Sequence, residues 1–409
     1  MAHALTADEL RQQTTLGEDA SSWSNRLLGI GLLLLLGSAA YAFAGPEGTW
    51  RQFQFSYHIA FCFFLSMTLG ALWFVTIHHL VGAKWSTTVR RVAELTMGSF
   101  PLLLVLFLPT LFAVLKGDDG LFLWVSHERM ESNHLLHGKI AFLNPTFFVI
   151  RVAIYFAVWI GFARFFASNS RAQDLTGDVL LTAKMRKFAP LAIILFALTT
   201  TFAAFDFLMA LEPEWFSTIF GVYFFAGCAL SFFCSTIVIT MLAQEKGRLQ
   251  GIVTAEHYHD LGKWTFAFVF FWGYVAFSQF MLIWYANLPE ETFWFRDRFE
   301  GSWISIAVFI LLGHLLIPFG GLVSRHVKRN RAALAFWAVT LLLMHWVDLY
   351  WIAMPVLHEK GVEFHMFDAS LLLGIGAMFA GLWLKRAQGG LLAPVKDPYF
   401  EASLRFKNM

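Results

Sequence analysis

The chain has 409 residues, of which 58% are hydrophobic and 14% are charged, and its formal net charge is +2. Soluble domains carry about 25% charged residues, so a water-soluble protein of this composition would expose large apolar patches. The small net charge gives no reason to expect a nucleic-acid partner. The three cysteines, Cys62, Cys228 and Cys234, lie inside apolar runs, which is not the pattern of a disulfide framework or a zinc site.

Ten apolar runs are each long enough to cross a bilayer as a helix, which takes roughly 20 residues. They predict an all-α polytopic membrane protein with spans at about 27–44, 54–81, 95–115, 144–166, 188–211, 216–243, 264–288, 303–323, 333–354 and 367–384. This ten-helix transmembrane domain (27–384) follows a polar N-terminus (1–26) that lacks the features of a signal peptide. A C-terminal tail (385–409) completes the chain.

The positions of the basic residues predict the orientation. Most of the 30 Lys and Arg residues fall on the side that holds both termini. Cytoplasmic loops carry the excess of these residues in membrane proteins, so we expect both termini in the cytoplasm. Two long loops, 116–143 and 289–302, would then face outward, and their charges and aromatic residues suit the docking of a partner.

Two spans end with similar sequences. Span 5 ends in FDFLMALEP and span 9 in VDLYWIAMP, so that Asp206 and Pro213 are spaced like Asp348 and Pro355. Because an even number of spans separates them, the copies run in the same direction. They predict two parallel four-helix units, at about 54–211 and 216–354, flanked by spans 1 and 10. The alternative is that a proline after a helix end is simply common.

Ionisable residues inside the spans are functional candidates by default, because a charge in hydrocarbon is costly. A rise of 1.5 Å per residue puts Asp206 and Asp348 roughly 8 and 9 Å from the outer ends of their spans. The other candidates in the spans are Arg151, His58, His345 and His314. Glu94 and the pair His78–His79 lie near the inner ends, where we expect them to be solvated.

Two interpretations of the outer group remain open. In the first, Arg151 pairs with Asp206, and His345 with Asp348, only to hold helices together. In the second, the carboxylates and imidazoles, together with Glu94 and His314, form a proton path, since His and a desolvated Asp can titrate near neutral pH.

No redox centre is expected in the chain itself. No C-x-x-C-H sequence occurs, which excludes a covalent c-type haem. A b-type haem needs two facing histidines, and His58 with His345 is the one pairing worth considering. The loop histidines His127, His134 and His137 stand among charged residues, so a solvated loop is the preferred interpretation over a metal site.

Three stretches resemble a known family when they are taken together. Span 7 and its exit read WTFAFVFFWGYVAFSQFMLIWYANLPEETFWF, span 4 begins with HGKIAFLNPTFFVIR, and span 9 ends in HWVDLYWIAMP. They resemble the ActF membrane-subunit family of bacterial alternative complex III, a quinol:electron acceptor oxidoreductase. More broadly, the layout is similar to the NrfD-type membrane subunits of polysulfide and nitrite reductases.

The resemblance implies a subunit of the bacterial inner membrane that binds no cofactor of its own. Its implied partners are a sister NrfD-like membrane subunit, small membrane subunits, a periplasmic iron–sulfur subunit, and multihaem and monohaem cytochrome c subunits. They would carry the haem c and iron–sulfur clusters that receive electrons from menaquinol or ubiquinol. The chain would serve as a scaffold and a proton-translocation path, with quinol contact near His58, Arg151 and Asp206.

Two other classes of function stay open. A stand-alone secondary transporter would also show repeats and intramembrane acids, and Pro101, Pro109, Pro190 and Pro318 are compatible with its broken helices. A purely structural membrane anchor would need none of the ionisable residues for turnover.

Overall fold

The computed structural model describes residues 7–17 and 19–408, and all regular elements in these ranges are helical. Ten helices are long and apolar enough to cross a membrane, which confirms the predicted all-α polytopic architecture. Spans 1 to 10 are Ala20–Ala44, Thr49–Val81, Thr87–Leu115, Pro145–Thr176, Val179–Leu211, Phe220–Glu245, Ala255–Ala286, Trp303–Val323, Arg331–Val356 and Met366–Ala387. Spans 1 and 10 extend beyond the predicted ranges of 27–44 and 367–384.

Local sequence explains where several spans begin and end. The Asn144 side chain accepts a hydrogen bond from the Phe147 amide, and Pro145 occupies the first position of span 4, where a missing N–H does no harm. Span 4 ends at Gly177, whose φ of 70° is left-handed, a conformation that favours glycine. Asp178 then caps span 5. Spans 4 and 5 therefore form a tight antiparallel hairpin.

The two predicted four-helix units pack in the same order. Span 2 contacts spans 3 and 5 in the first unit, and span 6 makes the corresponding contacts with spans 7 and 9 in the second. Spans 2 and 6 also pack along each other. Span 2 is the most central helix. In its most apolar 18-residue segment, 94% of the residues are buried inside the protein, whereas the share in span 8 is 22%. Spans 1 and 10 pair with each other, and span 10 lies against span 2.

Spans 5 and 9 finish in the same way. Each α-helix tightens into a single 3-10 turn, Met209–Leu211 in span 5 and Met354–Val356 in span 9. Pro213 lies two residues after the end of the first turn, whereas Pro355 lies within the second turn. The shared sequence pattern at these ends therefore corresponds to a shared local structure.

The ends of the spans form two faces, which we call the terminal face and the loop face. On the terminal face, the helix Ala7–Thr14 is tied to the rest of the chain, because the Leu392 amide donates to the Thr14 carbonyl. The loop face carries the connections between spans 3 and 4 and between spans 7 and 8, with the short helices His127–Ser132 and Pro289–Phe299. That the terminal face is cytoplasmic stays a prediction.

Span 8 is irregular at its centre. The α-helix Trp303–Ile310 widens into the π-helical segment Leu311–Leu316 before it resumes as Ile317–Val323. Pro318 lacks the amide hydrogen that a regular α-helix would donate to the carbonyl of His314. A π-helical segment inside a helix often marks a functional site.

Candidate functional site

Asp206 of the first unit is held in an ion pair. Arg151 donates from Nε to Oδ2 at 2.8 Å and from Nη2 to Oδ1 at 2.7 Å, and Tyr155 donates its hydroxyl to Oδ2 at 2.7 Å. The remaining guanidinium nitrogen donates to the Phe142 carbonyl. Arg151 and Asp206 are both buried, and the structure contains the pairing of these two residues that the sequence suggested.

Asp348 of the second unit has no cation beside it. Tyr223 of span 6 donates its hydroxyl to Oδ1, and Trp272 of span 7 donates its indole N–H to Oδ2 at 3.3 Å. The Asp348 side chain is 2% exposed. Among the described residues, no Lys, Arg or His forms an ion pair with it. Equivalent helix ends therefore carry one neutralised carboxylate and one that has only uncharged hydrogen-bond donors.

The predicted pairing of Asp348 with His345 is wrong. Side chains three residues apart on a helix point in directions that differ by about 60°. Asp348 and His345 therefore contact different helices. His345 faces span 2, where its Nε2 lies 2.9 Å from the Ser66 hydroxyl. The Ser66 hydroxyl in turn lies 3.3 Å from the Ser231 hydroxyl of span 6.

His314 lies between His345 and Trp272, the residue that donates to Asp348. Its ring centroid is 4.0 Å from that of Trp272 and 6.5 Å from that of His345. It is fully buried on the π-helical segment of span 8, and neither ring nitrogen has a hydrogen-bond partner within the described ranges. Asp348, His314 and His345 thus form a group of protonatable side chains, which we call the second-unit acid–imidazole group.

His58 lies apart from this group. Its Nε2 is 2.6 Å from the carbonyl of Phe207, and its Nδ1 has no partner in the part of the chain that is described. Phe207 is the residue after Asp206 on span 5. Within the described residues, however, no hydrogen bond joins His58 to Arg151 or Asp206. Nε2 of His345 is likewise engaged within the protein, by the Ser66 hydroxyl.

Glu94 is buried, so the prediction that it would be solvated is wrong. It pairs with Arg90 at 3.3 Å and with Arg91 at 3.0 Å. Arg91 also binds Asp174 of span 4 at 2.6 Å, and Arg90 binds Asp397 of the C-terminal tail. The tail packs on this cluster at the terminal face through Asp397. His78 and His79 are also buried, so the same prediction is wrong for them.

A cavity of about 550 Å³ lies beside Asp348 in the second unit. Its walls come from spans 7, 8 and 9 and from the loop helix Pro289–Phe299, and they are mostly apolar and aromatic. Asp348 and Tyr223 line its inner end, and Gln279 lines it two helical turns from Trp272. Asp348 is thus the buried acid that adjoins a cavity, whereas Asp206 is closed off by Arg151.

The loop face carries a larger polar basin of about 1020 Å³, with the prolines of both helix ends, Pro213 and Pro355, in its wall. Beneath it, Arg298 pairs with Glu212 at 3.0 Å and lies 3.7 Å above the Trp294 ring. Burial raises the pKa of Glu212, and Arg298 partly opposes that shift; burial also lowers the pKa of Arg298. The remaining charged residues of the basin are Arg51, Asp119, Arg129, Glu214, Arg296, Asp297, Glu300, Glu359 and Lys360.

The loop histidines do not converge. His127 is exposed and lies 3.5 Å from Glu131, and the described residues contain no cluster of three or more His, Cys, Asp or Glu side chains placed to hold a metal ion. His134 and His137 belong to one short helical turn, whose cap is Asn133.

Sequence reasoning missed the neutral partners of both acids. Tyr155 is one turn from Arg151 on span 4, so helical spacing was a usable signal for it. Tyr223 and Trp272 lie in apolar runs far from Asp348 in sequence, and no signal in the sequence joined them. Asp397 was missed because the tail was treated as separate from the spans.

Comparison with known proteins finds no family model that matches the chain and no curated protein that matches its sequence.

Proposed function

We propose that this chain is an integral membrane subunit of a quinol:electron acceptor oxidoreductase of the alternative complex III type, in which it is a scaffold and accepts protons at Asp348. Three stretches of sequence resemble that family, and the ten-span architecture with two similarly packed units agrees with it. The redox centres belong to partner subunits in this proposal, and the electron-donating quinol comes from the membrane.

The observation that carries the proton-accepting role is the contrast between the two equivalent acids. Asp206 is bound by the Arg151 guanidinium, which serves as its counter-ion. Asp348 has only Tyr223 and Trp272 as partners, and a buried charge without a counter-ion is costly. Taking up a proton removes that cost, which makes Asp348 the acid suited to proton exchange.

The second-unit acid–imidazole group supports a route away from Asp348. Beyond Asp348, His314 lies next to His345, and His345 contacts Ser66 where spans 2 and 6 meet. Ser231 of span 6 lies next to Ser66. Both imidazoles keep at least one ring nitrogen without a hydrogen-bond partner among the described residues. Glu94 is excluded from the group in this proposal, because two arginines and the C-terminal tail surround it.

The complex is tested first by gentle-detergent purification of this chain from its native membranes, with the co-purifying proteins identified and a reduced-minus-oxidised spectrum recorded. We expect a multihaem cytochrome c and an iron–sulfur protein. A chain that purifies alone and colourless would refute the complex and favour a stand-alone transporter.

The proton role is tested by Asp348→Asn in the assembled complex. Asparagine keeps the size of the side chain. Its carbonyl oxygen can accept from the Trp272 indole while its amide group donates to the Tyr223 hydroxyl oxygen, but it cannot take up the proton. We expect fewer protons released per electron transferred, at normal yield of the complex. Asp297→Asn, an exposed position on the loop face, is the matched control. An unchanged proton-to-electron ratio in Asp348→Asn would refute the role.

A further inference from the structure

The connection between spans 8 and 9, on the terminal face, is strongly basic. From Arg325 to Arg331 it reads RHVKRNR, with four Lys or Arg residues and no acid. Two of these cations are engaged inside the protein, because Lys328 donates to two backbone carbonyls of span 8 and Arg329 pairs with Glu256 of span 7. Arg325 and Arg331 are exposed and form no ion pair with a described acid. These two cations are therefore available to an external anion.

A pocket of about 350 Å³ lies next to this connection, where spans 6, 7 and 9 meet the terminal face. Arg329 and Arg331 line it, and none of the described residues in its wall is acidic. The uncharged polar residues of the wall are Gln244, Gln250, Thr254 and Tyr258. The basin on the loop face, in contrast, contains charges of both signs. The smaller pocket is therefore suited to a negatively charged occupant.

Arg331 is the residue of this pocket that is best placed to bind an anion. Its guanidinium carbon lies 5.8 Å from the ring centroid of Tyr258, whose hydroxyl donates to Gln244 at 2.9 Å. A guanidinium can donate two parallel hydrogen bonds to two oxygens of one phosphate group. Arg329 already donates from two nitrogens to Glu256. Arg331 can thus bind a phosphate while that ion pair stays intact.

Apolar surface continues from the pocket into the membrane. Phe336, Val339 and Leu343 of span 9 are exposed, and they lie about 8 to 18 Å deeper along the helix than Arg331. Leu242, near the end of span 6, is exposed as well. Helical surface of this kind faces hydrocarbon. A ligand with a phosphate group and long hydrocarbon chains therefore matches both the pocket and the surface below it, whereas free phosphate would use only the pocket.

We propose that this pocket binds the phosphate group of an anionic phospholipid, such as phosphatidylglycerol, whose acyl chains lie along span 9. A zwitterionic headgroup fits less well, because no described acid in the wall balances its ammonium group. Basic pockets between membrane helices are known to hold anionic headgroups on the cytoplasmic side, which agrees with the predicted orientation. The site goes beyond the proposed function and requires no redox partner.

The test is photolabelling of the purified full-length chain with a phosphatidylglycerol that carries a diazirine next to its headgroup. Peptide mapping by mass spectrometry is expected to find label on the segment 242–258, at a probe concentration below saturation. Arg331→Ala removes the free guanidinium, and we expect about fivefold less label, which corresponds to about 1 kcal/mol. Arg325→Ala is the matched control, since this exposed arginine of the same connection does not line the pocket. It should label like the native chain.

Three results would overturn the proposal. They are equal label in the Arg331→Ala and Arg325→Ala variants, equal label from a phosphatidylcholine probe with the same acyl chains, and loss of label with inorganic phosphate but not with chloride at the same ionic strength. The last result would make free phosphate the ligand.

Arg331→Glu provides a second readout. It reverses the charge at the pocket, so we expect almost no label on the segment 242–258, and label at the native level would also overturn the site. Because both arginines are exposed, we expect all three variants to unfold at the temperature of the native chain. Redox partners play no part in these measurements, so their result is independent of the proposed function.

Discussion

The chemistry of the two buried aspartates differs because of their neighbours. Asp206 receives three hydrogen bonds, two of them from Arg151, and the guanidinium is further enclosed by the rings of Phe142 and Phe147 at 3.8 and 4.5 Å. Such a pair is fully satisfied and has a fixed geometry. Asp348 accepts hydrogen bonds from neutral donors and lies beside a cavity. The same residue type at equivalent helix ends therefore has a cationic partner in one unit and neutral hydrogen-bond donors in the other.

Arg151→Leu tests the structural role. The substitution leaves the Asp206 carboxylate buried with Tyr155 as its only side-chain donor, and breaking a buried pair in this way costs about 3–5 kcal/mol. We expect a much lower yield of folded protein and a lower thermal unfolding temperature in detergent. Arg151→Leu combined with Asp206→Asn removes the stranded charge and should recover part of the loss. A single variant as stable as the native chain would contradict the pairing.

The C-terminal tail acts as a structural element of the terminal face. Its Leu392, Ala393 and Phe400 are buried, and the Ser403 hydroxyl donates to the carbonyl of Trp85 at 2.6 Å. Asp397 joins it to the Arg90 cluster. The tail therefore covers charged residues that lie near the ends of spans 3 and 4, which explains why Glu94 is not solvated. His78 packs against Phe74 and Trp85, and His79 against Phe166.

Asp397→Asn tests how the tail is held. It removes the negative partner of Arg90 at a buried position, so we expect the tail to detach more often and trypsin to cleave faster at Lys396 and Arg405. Glu401→Gln is the control, since Glu401 is exposed and pairs with Arg405 at 3.4 Å, and exposed pairs contribute little. Equal cleavage rates in the two variants would show that Asp397 does not hold the tail.

At the scale of the whole molecule, the two units are joined where spans 2 and 6 cross closely. Gly70 is the point of closest approach, because a Cβ there would collide with the Cys228 carbonyl oxygen and with the Cβ of Phe232. Small residues allow helix backbones to approach in this way inside membranes. The close contact also brings Ser66 and Ser231 together, so the packing of the units and the polar line from His345 depend on the same interface.

Gly70→Ala is therefore expected to push spans 2 and 6 apart. Overpacking of this kind costs about 2 kcal/mol or more, and we expect a lower thermal unfolding temperature in detergent. Gly161→Ala on span 4 is the matched control, since no atom lies within 4 Å of the added Cβ. Equal unfolding temperatures in both variants would contradict the proposed role of Gly70.

The sequence by itself determined the fold class, the ten spans and the similar ends of spans 5 and 9. These follow from local properties, namely the length of apolar runs and the spacing of Asp206 and Asp348 from their prolines, which no distant residue can change. It also identified the buried acids, because a charge within an apolar run is visible without a structure.

Only the tertiary structure decided which of these buried acids has a cationic partner. Asp348 meets Tyr223 and Trp272. Arg91, which pairs with Glu94, meets Asp174, and Arg90 meets Asp397, through contacts between segments far apart in sequence. Helical periodicity gives the side of a helix on which a residue lies, but not the neighbour that this side faces. For that physical reason the cavity beside Asp348, and the difference between the two units, emerge only when the ten spans are packed together.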